Sequence, residues 1–483
     1  MTMTPASSDY FNRVADQWDT LRAGYFTEAV REAAIRKAYL RPEWAVADVG
    51  AGTGFMTAGL APLVRRVYVL DGSPAMLEVA RQNLKGFDNL VFQGSDGLSL
   101  PLPDESMDAV FANMVVHHMP DPSSAIHEMT RILRPGGRLV ITDIDSHPYA
   151  WLKDEMADVW QGFERTQVRA WFQEAGLVNV IVDCTGHSCS AESHGPAITD
   201  ASQRQAKISL FVAVGTRRIS GVKEAVQASY GATAAGSSGC CSDASLVEAG
   251  RDTASCCDSS APGFVTLEDV NIGKGYTPLD QAQVPPEAAE ISLGCGNPTA
   301  LAALKPGEVV LDIGSGGGID AFLAARQVGP TGKAIGIDMT PEMLERARRT
   351  AQKAGIANVE FRHGYADALP VEDGTVDVVI SNCMINLTED KGAVFAETFR
   401  ALRDGGRLEV SDIVTDGSFP LELLENPDAW PSCVFGALPE QEYIDLVAQA
   451  GFKDILVRKK VPAGEGAGIN VYSITLSARK TAI

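Results

Sequence analysis

Four landmarks occur twice in this chain, in the same order. Asp48-Val49-Gly50 returns as Asp312-Ile313-Gly314. The run Leu70-Asp71-Gly72-Ser73-Pro74-Ala75-Met76-Leu77 returns as Ile337-Asp338-Met339-Thr340-Pro341-Glu342-Met343-Leu344. Asp108-Ala109-Val110-Phe111-Ala112-Asn113 returns as Asp377-Val378-Val379-Ile380-Ser381-Asn382, and Gly136-Gly137-Arg138-Leu139 as Gly405-Gly406-Arg407-Leu408. The offset is 267 residues from Asp71 to Asp338 and 269 from Gly136 to Gly405. So steady an offset means two copies of one fold. A length of 483 residues is comfortable for two or three domains. The expected division is a first domain at 1–218, a linker or N-terminal arm at 219–272 and a second domain at 273–483.

Within the first copy, short apolar runs alternate with helical patterns. The runs are Ala45–Val49, Val67–Leu70, Leu90–Phe92, Met107–Ala112, Arg138–Ile141 and Ile208–Val214. Helical spacing marks Tyr10 to about Leu40, Pro74–Leu84 and Pro122–Leu133. Strands alternating with helices predict an α/β fold, a mostly parallel sheet with helices on both faces. Ser229 to Pro262 breaks the pattern. Its Ala, Ser and Gly content reads as a flexible linker, yet it carries the pairs Cys240-Cys241 and Cys256-Cys257.

Each glycine run follows a strand and precedes a helix, so its backbone can approach a ligand and aim N–H groups at it. The loops are Asp48-Val49-Gly50-Ala51-Gly52-Thr53-Gly54 and Asp312-Ile313-Gly314-Ser315-Gly316-Gly317-Gly318. The acid ending the second strand, Asp71 or Asp338, is placed to bind ribose hydroxyls. Asp96 and Asp367 follow the third strands, where an acid can meet an adenine amino group. In this form both halves resemble class I S-adenosylmethionine-dependent methyltransferases. The resemblance implies two tandem Rossmann-like domains, each with a seven-stranded sheet. It implies cofactor contacts at Asp48, Gly50, Gly52, Gly54, Asp71 and Asp96. In the second copy it implies them at Asp312, Gly314, Gly316, Gly318, Asp338, Met339, Asp367 and Asn382.

A methyl acceptor needs an available lone pair, and most such enzymes prepare one with a general base. The second copy has no evident histidine or paired carboxylate near its fourth strand. It has Cys383 instead, with Cys295 and Cys433 on either side of the unit. Thiolates choose soft centres. Trivalent arsenic accepts three of them in a pyramid and keeps a lone pair on the open side, where in-line displacement needs little beyond positioning. Leu293-Gly294-Cys295-Gly296-Asn297-Pro298, Ile380-Ser381-Asn382-Cys383-Met384-Ile385-Asn386-Leu387 and Ser432-Cys433-Val434-Phe435-Gly436-Ala437 resemble the thiol motifs of arsenite methyltransferases. So does a Tyr230-Gly231 turn followed by Cys240-Cys241. This resemblance implies that Cys383 and Cys433 bind trivalent arsenic; the three-thiolate chemistry of arsenic makes Cys295 the expected third thiol of the cup. It also implies that Cys295 and a linker cysteine, Cys240 or Cys241 among the candidates, serve a disulfide relay. Arsenite or its thiol conjugates would be methylated one, two or three times in a detoxification, with thioredoxin or glutathione as reductant. Asp320 and Asp390 read as capping or solvated acids.

The first copy differs where it matters. Met114 stands at the position of Cys383, followed by Val116-His117-His118-Met119-Pro120. With Leu100-Pro101-Leu102-Pro103-Asp104, this resembles quinone- and sterol-type small-molecule methyltransferases. A histidine there acts as a base, lines an acceptor pocket or caps a strand. Cys184, His187, Cys189 and His194 are metal-ligand types at a spacing unfamiliar for zinc. Two rival readings follow: a methyltransferase for carbon or oxygen acceptors led by the first copy, and a metalloid-binding protein without turnover.

The formal charge of −21 argues against binding nucleic-acid phosphates or an anionic membrane. No apolar run has the length of a membrane span. Met1 to Asp19 lacks an apolar signal core, with Asp9, Asp16 and Asp19 where one would need to lie. The expected compartment is the cytoplasm, where nine cysteines are expected to be reduced and to read as ligands or reactive thiols.

Overall fold

The computed structural model describes residues 5–193, 204–235, 276–289 and 296–482. The chain forms two compact units, Met1–Arg218 and Ile219–Ile483. Among the described residues no helix is long and apolar enough to cross a membrane.

The N-terminal unit has strands β1 (Ala45–Val49), β2 (Arg66–Asp71), β3 (Leu90–Gly94), β4 (Met107–Asn113), β5 (Leu133–Ile144), β6 (Leu177–Glu192) and β7 (Gln205–Arg217). They form one sheet in the order β3-β2-β1-β4-β5-β7-β6. Pairing is parallel from β3 to β5, and β7 runs antiparallel to both β5 and β6. Every residue of β1 is buried, as expected of a strand covered on both faces. Helices follow the strands at Phe55–Leu60, Pro74–Asn83 and Pro122–Arg131. Their starts are chemically marked. Ser73 accepts from the Met76 N–H at 3.1 Å and Asp121 from Ser124 at 3.1 Å, each followed by a proline in the first turn.

The C-terminal unit repeats this plan with β8 (Val309–Ile313), β9 (Lys333–Asp338), β10 (Val359–His363), β11 (Val376–Asn382), β12 (Leu402–Thr415), β13 (Lys453–Gly466) and β14 (Ile469–Arg479). The order is β10-β9-β8-β11-β12-β14-β13, with β14 antiparallel to both its neighbours. In both sheets the chain order reverses between the first and fourth strands. Ligands of open α/β sheets bind outside the carboxyl ends of the strands at such a point. The glycine loops leave β1 and β8 there, and Met114 and Cys383 follow β4 and β11 beside them.

One expected turn is a helix. Tyr230-Gly231 lies within the helix Val222–Ala234, which occupies the start of the presumed linker. Val222 and Val226, one turn apart, bury one face of it, while Ala225, Ala228, Ala232 and Ala234 favour helix strongly enough to carry the glycine near its end. The linker cysteines Cys240, Cys241, Cys256 and Cys257 lie outside the described residues.

Candidate active site

Both glycine loops rest on the acid that ends the second strand. In the C-terminal unit, Asp338 accepts the Gly316 N–H at 2.9 Å and the Thr340 N–H at 2.8 Å. In the N-terminal unit, Asp71 accepts from Gly52 at 2.7 Å and Ser73 at 2.8 Å. Burial raises both carboxyls above the usual range, and these backbone bonds work against it. The motif glycines Gly314, Gly316 and Gly318 have unequal tasks. A Cβ at Gly314, whose φ is +73°, would lie 2.2 Å from Met384 Cγ, whereas Gly316, at φ +48°, faces open space. The middle glycine is therefore the lip of a cradle and the first is a packing contact. In the N-terminal unit the cradle opens on a cleft lined by Asp48, Gly50, Gly52, Asp71 and Asp96. Asp367, the counterpart of Asp96, is exposed beyond β10.

Asn382, expected to touch the cofactor, gives its carboxamide to the protein. Its Nδ2 donates to Gly296 O at 2.8 Å, Tyr276 Oη at 2.8 Å and Asp320 Oδ2 at 3.2 Å, while Oδ1 accepts the Gly296 N–H at 3.1 Å. The chain just after Cys295 is thus fastened to the end of β11. Cys295 itself lies outside the described residues. Asp390 is the helix cap expected of it, accepting the Ala393 N–H at 3.0 Å. Asp320 is not a solvated acid: it is buried and accepts the Tyr276 hydroxyl at 2.6 Å. Burial pushes Asp312 and Asp320 upward, and Asp312 is driven further by Asp320 and Asp338. One oxygen of each has no hydrogen-bond partner. Tyr276 belongs to no motif, and its role was invisible in the sequence.

Cys383 and Cys433 meet although 50 residues separate them. Their sulfurs stand 3.5 Å apart, and both residues are buried. Both have left-handed backbones, φ +58° and +57°, a conformation that costs a residue with a side chain about 1–3 kcal/mol. The Cys383 N–H is tied to Ser411 O at 2.8 Å and the Cys433 N–H to Trp430 O at 3.0 Å. Gly436 lets the second loop press onto the first: a Cβ there would fall 1.8 Å from Asn386 O. An apolar layer of Val222, Val226, Ile413, Phe419, Trp430 and Val434 surrounds the pair. Cys383 is disulfide-bonded, contrary to the expectation of reduced thiols, whereas Cys433 is in no disulfide.

In the N-terminal unit His117 is no strand cap. It is buried, with Nδ1 2.5 Å from Asp143 Oδ1. Burial would lower its imidazolium, but the charges of Asp143 and Asp158 outweigh that and hold its pKa up at about 9. Cys184 is exposed and Cys189 buried, both free, while His194 lies outside the described residues.

Comparisons with known proteins agree with this duplication. Residues 47–141 and 304–451 each match a family described as a methyltransferase domain. The arsenite methyltransferase of Halobacterium salinarum is 42% identical over 270 residues, spanning 54% of this chain and 67% of that protein. The chain belongs to the arsenite methyltransferase family. It is a methyltransferase enzyme, and its methyl donor is S-adenosylmethionine. The human arsenite methyltransferase is 38% identical over 152 residues, which cover 30% of this chain and 40% of that one. A crystal structure of the arsenic(III) S-adenosylmethionine methyltransferase of Chlamydomonas reinhardtii is 34% identical, covers 43% of this chain and 75% of its own, and has a TM-score of 0.39. A 2-methyl-6-phytyl-1,4-hydroquinone methyltransferase of rice is 34% identical over 170 residues, 34% of this chain and 51% of that protein.

Proposed function

We propose that the C-terminal unit of this family member methylates trivalent arsenic bound by Cys383 and Cys433. The 3.5 Å separation of their sulfurs is the observation that supports it most directly. An atom bonded to two thiolates at about 2.3 Å, the zinc–thiolate length, with a near-right angle between the bonds, holds sulfurs about 3.3 Å apart. Cys295, whose loop continues into the anchored Gly296, supplies the third sulfur or hands electrons to a linker cysteine, Cys240 or Cys241 among them.

Asp338 and the Gly314–Gly318 loop hold the cofactor, with Asp312, Met339 and Asp367 around it. Asn382 acts as a positioning residue for the Cys295 loop. When bound, the cofactor supplies a methyl group on a positive sulfur. The thiolates turn the arsenic lone pair toward that methyl, and no proton needs removing, which suits a site without a general base. The surrounding apolar layer keeps water from the arsenic–sulfur bonds. Because Cys383 is held in a disulfide, arsenic binding requires a prior two-electron reduction. Thioredoxin or glutathione is the expected donor. Each transfer consumes the arsenic lone pair and raises arsenic from trivalent to pentavalent, so before the next one two site thiolates close to a disulfide, returning two electrons to arsenic, and the reductant reopens it; one to three methyl groups are added in this way.

Chromatography of arsenicals after incubating the full chain with arsenite, S-adenosylmethionine and thiol tests this reading. Cys383→Ser or Cys433→Ser should lower methylated product by at least about 100-fold, the scale of losing an essential positioning contact. Unchanged rates in both variants would refute the thiol mechanism.

A further inference from the structure

The N-terminal unit has a second chamber. Its cofactor-type cleft shares the lining residues Trp18, Phe26, Met114 and His118 with an adjoining space, so the two are neighbours. The chamber sits where the other unit keeps its sulfurs. Met114 has φ +54° and its N–H is tied to Thr142 O at 2.8 Å, as Cys383 is tied to Ser411. Ala157, at φ +60°, stands six residues before Phe163, which bridges to Asp145; Cys433 stands six before Pro439, which bridges to Thr415. Both thiol positions therefore keep their backbone and lose their thiol. Cys189 remains in the chamber, but burial pushes it up to about 12, which leaves it a neutral thiol. A soft ion has no pair of thiolates here.

What the chamber offers instead is an acid and a cation. Asp158 is 8% exposed and lines the space. His117 Nε2 stands 3.6 Å and His118 Nδ1 3.7 Å from its Oδ1, both beyond hydrogen-bond reach. Such a carboxylate is left to whatever fills the chamber, water or a ligand. His117 is kept cationic by Asp143, which is itself fixed by the N–H groups of Val116 at 2.9 Å and His117 at 3.2 Å. His118 stays neutral through burial and the charge of His117, and its Nδ1 faces Ala157 O at 3.1 Å. The remaining wall includes Phe26, Ile144, Leu152 and Ile208. The group that fits between a carboxylate and an imidazolium N–H is one that both donates and accepts. A hydroxyl does so; an ammonium cannot accept and is repelled by His117.

We propose that the N-terminal unit is a second methyltransferase, which binds a compact apolar phenol in this chamber and methylates its oxygen with Asp158 as the general base. The phenol O–H bond breaks and its proton passes to Asp158. The oxygen lone pair forms the O–CH3 bond as the S–CH3 bond breaks, and that electron pair stays on the cofactor sulfur. The products are a methyl ether, S-adenosylhomocysteine and a proton, which Asp158 releases to solvent. His117 Nε2–H steadies the oxygen, and Asp143 is a positioning residue that keeps it charged. Acidity selects the phenol. Asp158, raised by burial to about 6, meets a phenol of pKa about 10 across roughly four powers of ten, a much smaller gap than to an alcohol near the value of water, about 16.

This inference rests on no part of the thiol reading, so either can fail alone. The probe is 4-methylphenol, a phenol of pKa about 10, incubated with the full chain and S-adenosylmethionine without arsenite, with 4-methylanisole measured by chromatography and cofactor binding by calorimetry. The expected result is two cofactor equivalents bound and product formed. Asp158→Asn should cut kcat by about 100-fold or more with both equivalents retained. Asp71→Ala should remove one equivalent and the product together. Absence of 4-methylanisole from a chain that binds two equivalents overturns the proposal, and so does a rate that Asp158→Asn leaves unchanged.

Discussion

At the scale of single residues, the site depends on positions where the backbone does what side chains normally forbid. Cys383 and Cys433 hold left-handed conformations, and Met114 and Ala157 hold the same ones without sulfur. Conformation was kept through the duplication while chemistry changed. The loop glycines make a sharper contrast. Gly314→Ala drives a Cβ into Met384, whereas Gly316→Ala meets nothing but the space of the cradle. Both pay the left-handed penalty of about 1 kcal/mol or slightly more. Gly314→Ala should therefore lower the unfolding midpoint clearly more than Gly316→Ala. Gly316→Ala should instead weaken S-adenosylmethionine binding to the C-terminal unit about tenfold or more, read by calorimetry on the full chain. Equal effects of the two substitutions on both readouts would contradict this division of tasks.

At the scale of elements, the helix Val222–Ala234 is the part that the sequence concealed. It packs Val222 and Val226 into the layer around the thiols, while Gln227 donates to Met339 O at 3.1 Å and Lys223 lies 3.4 Å from the Tyr365 ring centroid. Val226→Asp places an unpaired carboxylate in that layer. Arsenic methylation should fall at least tenfold while cofactor affinity changes less than about twofold, measured by product chromatography and calorimetry. A matching loss of both would make the helix a general scaffold. The strands were easier to read, because buried parallel strands are short apolar runs and glycine loops mark their ends. Asp71, Asp338 and the capping Asp390 could be placed from such local signals. Tyr276 and Asp320 could not. Their bond with Asn382 joins segments 44 to 106 residues apart, and no local period records it. Asn382 shows the same limit: its place at a strand end was legible, but the partners that take up its carboxamide were not.

For the whole molecule, one fold used twice has been given two kinds of pocket. The C-terminal unit brings sulfurs together at the reversal point of its sheet, and the N-terminal unit brings together a carboxylate and an imidazolium. The duplication could be read directly from the spacing of landmarks. The convergence of Cys383 with Cys433 could not, because spacing carries no distance; only the likeness to known thiol motifs pointed to it. X-ray absorption at the arsenic edge tests that convergence most directly. With arsenite added to the reduced full chain, a coordination shell of sulfur is predicted, and Cys433→Ser should replace one sulfur neighbour with oxygen. A shell of oxygen alone, or a sulfur shell that Cys433→Ser and Cys383→Ser leave unaltered, would contradict the account.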